Sequence, residues 1–340
     1  MKILTISIAA YNVENYLKKS LESLCVKEII DDIEILVIDD GSKDNTGRIA
    51  KEFQEQYPNT VKYIKKDNGG HGSTINKGIE LASGKYFRVL DGDDYVDTKA
   101  FVKYVNWMKN INNDMIINNF MAVNFNGERR VDPAVMEDGE NPFDKLVNGS
   151  VYKFDEKYST RIFGLSSVTI KTELLKQQNV HITENCFYVD VEFIIWCIGL
   201  ANDFIYMNLP VYMYLKDDNA NNSVSKNNMI KNVSMQEKVS YKICSLYEKF
   251  KAKQIDVIKL NLIIERIAIS VGATIRTYML FDDCKLAREK IIDFDNSIKK
   301  NYKVAYNDLT ANTFIKVVRA CHYIMVSPIR LIYRSYIKRR

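Results

Sequence analysis

Three carboxylates fall within four residues at Asp91-Gly92-Asp93-Asp94. Like charges at that spacing repel, and a hard divalent cation such as Mg²⁺ or Mn²⁺, which prefers oxygen ligands, would bridge them. The simpler reading is a solvated turn that ends a strand. The run lacks the longer ligand pattern of a calcium-binding EF-hand loop. A second cluster is Asp39-Asp40-Gly41-Ser42-Lys43-Asp44-Asn45-Thr46. Its carboxylates can accept hydrogen bonds from a base or a ribose, while Ser42 or Asp44 also suits a helix cap. Ala10-Tyr11-Asn12 with Glu14 is a third polar cluster, readable as a turn with an N-cap. Asn68-Gly69-Gly70-His71-Gly72 is a glycine-rich turn, in which His71 is either a turn residue or a site residue.

The elements that must position these clusters follow from the apolar pattern. Strands are expected over Ile3–Ala9, Ile33–Ile38, Val61–Ile64 and Lys85–Leu90. Between them, helices are expected over Val13–Leu24, from Asp44 toward Tyr57, and over Ser73–Ala82. Strands alternating with helices predict an α/β fold with a largely parallel sheet covered by helices. Ligands of such sheets bind beyond the carboxyl ends of the strands, where the clusters after Ala9, Ile38 and Leu90 fall. Farther on, the pattern predicts a strand ending at Phe120, hairpin and loop over 121–150, a strand over Ser166–Lys171 and a helix over Glu173–Gln178. A helix over Asp190–Ala201, strands over Phe204–Met207 and Val211–Leu215, and a polar loop over Asp217–Ser225 complete the first part. From Lys226 onward the period is helical, so a boundary is expected near residue 225.

The chain has 340 residues, 46% of them hydrophobic and 27% charged, a composition that excludes wholesale disorder. With 14 Gly and 5 Pro, collagen-like and low-complexity classes are excluded as well. The formal net charge of +5 is a sum over unlike parts. Residues 226–340 hold 23 Lys and Arg against 10 Asp and Glu, whereas residues 1–225 hold 25 against 33. An acidic part suits metal ions; a basic part suits phosphates, nucleic acid or an anionic membrane. Cys25, Cys186, Cys197, Cys244, Cys284 and Cys321 form no C-x-x-C pair, and reduced thiols are expected. No secretory leader is read in the first residues, and no uncharged apolar run approaches the ~20 residues of a membrane span. A cytoplasmic location is expected.

In order along the chain, Ser7-Ile8-Ala9-Ala10-Tyr11-Asn12, Val37-Ile38-Asp39-Asp40-Gly41-Ser42, Asn68-Gly69-Gly70, Asn76-Lys77-Gly78 and Leu90-Asp91-Gly92-Asp93-Asp94 resemble the N-terminal part of a family 2 glycosyltransferase. The resemblance is strong over residues 1–110 and weaker to about 225. There Phe187-Tyr188-Val189-Asp190-Val191-Glu192-Phe193 resembles the family's acidic acceptor-side motif, and Asn222-Ser223-Val224-Ser225 its donor-closing loop. It implies a GT-A (Rossmann-like) fold with a mixed, mainly parallel sheet. The expected division is a transferase domain over 1–225, with donor and acceptor halves meeting near 110, and a helical region over 226–340. The implied donor is a nucleotide-sugar, most often a UDP-sugar, held with Mn²⁺ or Mg²⁺. By position Ala10, Tyr11 and Glu14 would line the nucleoside pocket. Asp39 or Asp40 would bond the base, Asp40 being the better match to the uracil contact. Asn68, Gly69 and Lys77 fall in donor-binding motifs. Asp91 would face the ribose or sugar and share in metal binding, Asp93 would ligate the metal, and Asp190 would be the general base of an inverting transfer.

The implied acceptor is a glycan or lipid-linked hydroxyl in cell-surface polysaccharide synthesis. Ile75 stands where many members carry Arg, which leaves the diphosphate contact open among His71, Lys77 and Arg88. Val189 stands where an acidic residue usually precedes the base. A third metal ligand is not evident, although Asp217, Asp218 and Asn219 lie in a suitable loop. The alternative is a nucleotide-sugar-binding protein without activity. A nucleic-acid partner is not expected, since no recognised motif is present.

Residues 311–340 contain seven basic residues and no acid. Lys316, Arg319, Arg330, Arg334 and Lys338 share one arc of a helix, with Phe314, Val317, Val318, Cys321, Ile324, Met325, Leu331 and Ile332 opposite. A basic amphipathic helix bent near Pro328 is expected, packed on neighbouring helices or lying on an anionic membrane surface.

Overall fold

The computed structural model describes residues 2–124, 128, 141–155, 160–216 and 225–324. The chain forms two compact units, Met1–Ala220 and Asn221–Arg340.

In the first unit the elements are β1 (Leu4–Ala10), α1 (Leu17–Leu24), β2 (Ile33–Asp39), α2 (Thr46–Gln56), β3 (Val61–Lys65), α3 (His71–Leu81), β4 (Tyr86–Asp91), β5 (Tyr95–Val96) and α4 (Thr98–Met108). Then come β6 (Met115–Val123), β7 (Val151–Tyr152), β8 (Val168–Lys171), α5 (Thr172–Gln177), α6 (Asp190–Leu200) and β9 (Phe204–Leu215). The nine strands form one sheet in the order β3-β2-β1-β4-β8-β6-β9-β5, with β7 added on β9. The ladders joining β3, β2, β1 and β4 are parallel, as is β6 with β9. Short antiparallel ladders join β8 to β4 and β6, and β5 and β7 to β9. This is the mixed, mainly parallel sheet that the alternation predicts. Almost every residue of β1, β2 and β4 is buried, as strands covered on both faces must be. Register sets the loops level: Ala10 lies opposite Asp39, Ala9 opposite Asp91, and Asp39 opposite Lys65.

Three local expectations change. The first helix begins at Leu17 rather than Val13, because Asn12 takes a left-handed φ of 53° and the residues after it bond to the next loop. The helix after the glycine-rich turn begins at His71 rather than Ser73, with Gly70 at φ 77° turning the chain into it. Residues 204–215 form one strand, not two. Pro210 cannot donate to a ladder, and a register shift between Asn118 and Phe120 of β6 absorbs the irregularity.

The second unit is helical: α7 (Lys226–Lys231), α8 (Val233–Ala252), α9 (Val257–Met279), α10 (Cys284–Asn301), α11 (Lys303–Asp308) and α12 (Thr313–Ala320). Asp256, Asp283 and Asn312 cap the starts of α9, α10 and α12 through their side chains. The continuous basic helix is not what forms here. α12 ends at Ala320, and His322 and Tyr323 take left-handed φ values of 45° and 60°, so the helix stops before Pro328 is reached. Arg319 leaves the expected basic stripe. It turns inward to pair with Asp295, donating from Nη2 at 2.7 Å and Nε at 3.0 Å, and its Nη1 donates to the Tyr306 carbonyl. Met325, Arg330, Leu331, Ile332, Arg334 and Lys338 lie outside the described residues. All six cysteines are free thiols. Among the described residues no helix is long and apolar enough to cross a membrane.

Candidate active site

The loops after β1 and β2 are laced together. The Asn12 amide donates to Ser42 Oγ at 3.0 Å, and Asn12 Oδ1 accepts from the Lys43 amide at 2.9 Å. The amides of Val13 and Glu14 donate to Thr46 Oγ1 and Asp44 Oδ2. Glu14 Oε2 accepts from both the backbone and the side-chain amide of Asn45, the residue that precedes α2. Glu14 therefore fixes a loop, and its carboxylate is already bonded. Ala10 is buried and its carbonyl accepts from the Asp40 amide, whereas the Tyr11 side chain is 49% exposed beside it. A flat, exposed aromatic face is suited to stacking on a planar group.

Asp39 and Asp40 are both buried. Asp39 accepts from the Ser42 amide and from Tyr63 Oη, each at 2.7 Å. Burial, reinforced by Asp39, pushes the Tyr63 hydroxyl up. Asp40 accepts four donors: Lys66 Nζ at 2.6 Å, the Gly69 amide at 2.9 Å, the Gly70 amide at 2.8 Å and Ser73 Oγ at 3.2 Å. Asn68 Nδ2 donates to the Asp40 carbonyl. A carboxylate offers about four acceptor positions. An incoming base reaches Asp40 only by displacing one of these donors, whereas Asp39 keeps acceptor capacity.

The turn after β4 sorts its three carboxylates. Gly92 sits so close to β1 that a Cβ there would lie 2.7 Å from the Ala9 carbonyl oxygen. Asp94 points inward, 2% exposed, and accepts from Tyr212 Oη at 2.5 Å and the Leu215 amide at 2.7 Å. Burial and the neighbouring Asp93 push its carboxyl well above the usual range. Asp91 and Asp93 remain. Burial, then Asp91, pushes the Asp93 carboxyl up to about 6. A carboxylate held so far above its ordinary value by burial and a like charge is one whose ionised form a cation would favour.

His71, the first residue of α3, places Nε2 3.1 Å from Asp91 Oδ1. Burial works against its charged form, but Asp91, with Asp190 and Asp93, outweighs burial and raises its pKa. The two other cations considered for this place are engaged elsewhere. Arg88 is buried among β4, β6 and β8, donating to Asn118 Oδ1, Thr169 Oγ1 and the Ser166 carbonyl. It packs over the rings of Tyr104 and Tyr212, and burial lowers its pKa. Lys77 pairs with Glu80 at 2.8 Å on the surface of α3.

Asp190 is the first residue of α6 and is exposed. The N-cap position belongs to Val189, so Asp190 does not serve as the cap. Its charge is felt at His71 and at Tyr214, which also senses Asp94, Asp91 and Asp93 after burial. The structure thus brings Asp91, Asp93, His71 and Asp190 into one electrostatic neighbourhood. Tyr212 and Tyr214 also meet this cluster; two apart on β9, they share one face of the strand, a spacing that is the sequence signal for them. Among the described residues no three His, Cys, Asp or Glu side chains converge as a metal cage. Asp217, Asp218, Asn219 and residues 222–224 lie outside the described residues. Asp91 and Asp93 form a two-carboxylate oxygen set, which fits Mg²⁺ or Mn²⁺ completed by phosphate oxygens and water.

Residues 5–164 match the family described as Glycosyl transferase family 2. The Minor teichoic acid biosynthesis protein GgaB of Bacillus subtilis is 30% identical over 180 residues, 52% of this chain and 19% of GgaB. The Uncharacterized glycosyltransferase MG025 homolog of Mycoplasma pneumoniae is 37% identical over 121 residues, 35% of this chain and 39% of that protein. The chain thus spans well under half the length of these relatives. S. aureus TarS 1–349, crystallised in complex with UDP-GlcNAc, is similar in fold with a TM-score of 0.54 and 19% identity, over 89% of this chain and 92% of TarS 1–349. Through residues 5–164, which include the strand ends that carry these carboxylates, the chain is similar to glycosyl transferase family 2.

Proposed function

We propose that the chain is an inverting glycosyltransferase that moves a sugar from a UDP-sugar to a hydroxyl of a glycan or lipid-linked acceptor in cell-surface polysaccharide synthesis. One observation supports this above others: Asp190 is exposed and is not the helix cap, yet lies within electrostatic reach of His71 beside Asp91 and Asp93. In the reaction the acceptor oxygen bonds to the anomeric carbon as the carbon–phosphate-oxygen bond breaks. The bonding pair leaves with the diphosphate, and the hydroxyl proton passes to Asp190. Asp91 and Asp93 would hold Mn²⁺ or Mg²⁺, which when bound supplies positive charge for the leaving diphosphate. His71 is the cationic side chain at the same place, a reading supported by the engagement of Arg88 and Lys77 elsewhere. Tyr11 stacks on the base, with Ala10, Asn68 and Gly69 forming the walls and Glu14, Asp39 and Asp40 holding them.

The name of GgaB supports a cell-wall polymer as the acceptor class. The 23 Lys and Arg against 10 Asp and Glu of residues 226–340 support a peripheral position on the cytoplasmic face of an anionic membrane. UDP release from UDP-GlcNAc and other UDP-sugars, with Mn²⁺ present and water or an added glycan hydroxyl accepting the sugar, tests the reading. Wild type is expected to release UDP, and Asp190→Asn to release it about 10²–10⁴-fold more slowly with unchanged UDP affinity. Equal rates would remove Asp190 from the chemistry. Binding without any release would favour the alternative of an inactive nucleotide-sugar-binding protein.

A further inference from the structure

The segment that presents Asp190 is not held by its own helix alone. Asn76, on α3 and 106 residues away from Ile182 in sequence, bonds to Ile182 on both sides of its amide group. Asn76 Oδ1 accepts from the Ile182 amide at 2.7 Å, and Nδ2 donates to the Ile182 carbonyl at 2.9 Å. The same Nδ2 donates to Glu184 Oε1 at 2.9 Å. One residue on, the Thr183 amide donates to Oε2 of Glu192, a buried side chain two residues beyond Asp190. A continuous path therefore runs from α3 through residues 182–183 to the first turn of α6.

The fit along this path is close. A Cβ on Gly72 would lie 2.1 Å from the Thr183 carbonyl oxygen, and the Gly69 carbonyl accepts from the Asn185 amide. Asn185 and Tyr188 take left-handed φ values of 54° and 66°. A tyrosine holds such a φ only where its surroundings over-determine it. The segment is thus shaped from outside, by α3 and the glycine-rich turn.

We infer that Asn76 is a positioning residue for Asp190, setting the start of α6 through its paired bonds to Ile182. The inference rests on Asp190 serving as the base. Donor-turn and base would then belong to one rigid piece, because the glycine-rich turn that Asp40 organises opens the same helix that holds the base segment.

A double-mutant cycle tests it, reading UDP release from UDP-GlcNAc with Mn²⁺ and UDP affinity by calorimetry on the full chain. Asn76→Ala is expected to slow release about 10²-fold, the scale of an ångström-sized misplacement, with UDP affinity within about twofold of wild type. In an Asp190→Asn background the same substitution should cost less than about twofold, because a positioning residue has nothing left to position. A repeat of the full loss in that background, or a loss of UDP affinity in parallel with rate, would overturn the inference. Asn76→Asp, which keeps the acceptor for the Ile182 amide but loses both donor bonds, serves the same cycle if Asn76→Ala does not fold. Asp190→Asn releasing UDP as fast as wild type would instead refute the base itself. An intact Asp190 effect with silent Asn76 variants would refute only the positioning role.

Discussion

In the helical unit Asp295 and Arg319 meet with 2% and 10% of their side chains exposed, and Tyr323 Oη fills a remaining position on the carboxylate. At the carboxyl end of the sheet in the other unit, Asp91 and Asp93 stand side by side, and Asp93 is driven up to about 6. Both places put acidic groups into low-dielectric surroundings. In the first the opposite charge is built in and the hydrogen bonds are closed, which is what buried charges require to be tolerated. In the second the compensation within the chain is incomplete, and the proposed cation would finish it. The sheet repeats the contrast within itself. Glu34, near the amino end of β2, accepts from Thr5 Oγ1, Lys62 Nζ and the Ser83 amide, and has no visible task beyond stability.

That contrast can be broken at each place. Arg319→Met leaves Asp295 buried without its partner and should lower unfolding free energy by about 3–5 kcal/mol, read by denaturant unfolding, while UDP affinity stays at the wild-type value. A variant as stable as wild type would mean the pair is not closed. Asp93→Asn should act in the opposite direction. Removing one of two facing carboxylates should stabilise the metal-free protein at pH 7 by about 1–3 kcal/mol, and a destabilised variant would contradict the open-cluster reading.

Glu34 gives the smallest effect and a defined pH sign. Burial raises its pKa, but Lys62, Thr5 and Ser83 outweigh burial and the net shift is downward. A depressed carboxyl stabilises above its unfolded value of about 4.5 and loses that contribution as pH falls through the folded value. Glu34→Gln should therefore cost about 1 kcal/mol at pH 7, and the difference from wild type should vanish in acid. A difference independent of pH would assign the effect to packing.

Much of the first unit was legible in sequence. Largely apolar runs at residues 3–9, 33–38 and 85–90 name the parallel strands, and the polar clusters read from sequence fall at their carboxyl ends. What was not legible is which carboxylates the fold uses for itself. Asp94 is withdrawn by Tyr212, 118 residues away, and Asp40 by donors 26 to 33 residues away. Glu14 is withdrawn by the loop after β2. Spacing along the chain carries no trace of such partners. Arg88 did carry one: a lone arginine inside a continuous apolar strand must find acceptors in the core, which removes it from a surface role. Arg319 misled by its helical phase, because phase places a residue on a face without saying what that face meets.

The incompletely compensated Asp91–Asp93 pair is the proposed meeting place of a nucleotide diphosphate and a divalent cation with the chain. Calorimetric titration of UDP into wild type and Asp93→Asn, each with Mn²⁺ and with EDTA, tests it most directly. The account predicts that Mn²⁺ tightens UDP binding at least about tenfold in wild type, equivalent to about 1.4 kcal/mol, and leaves Asp93→Asn unchanged. Equal affinity in Mn²⁺ and EDTA for wild type, or full metal dependence in the variant, would contradict it.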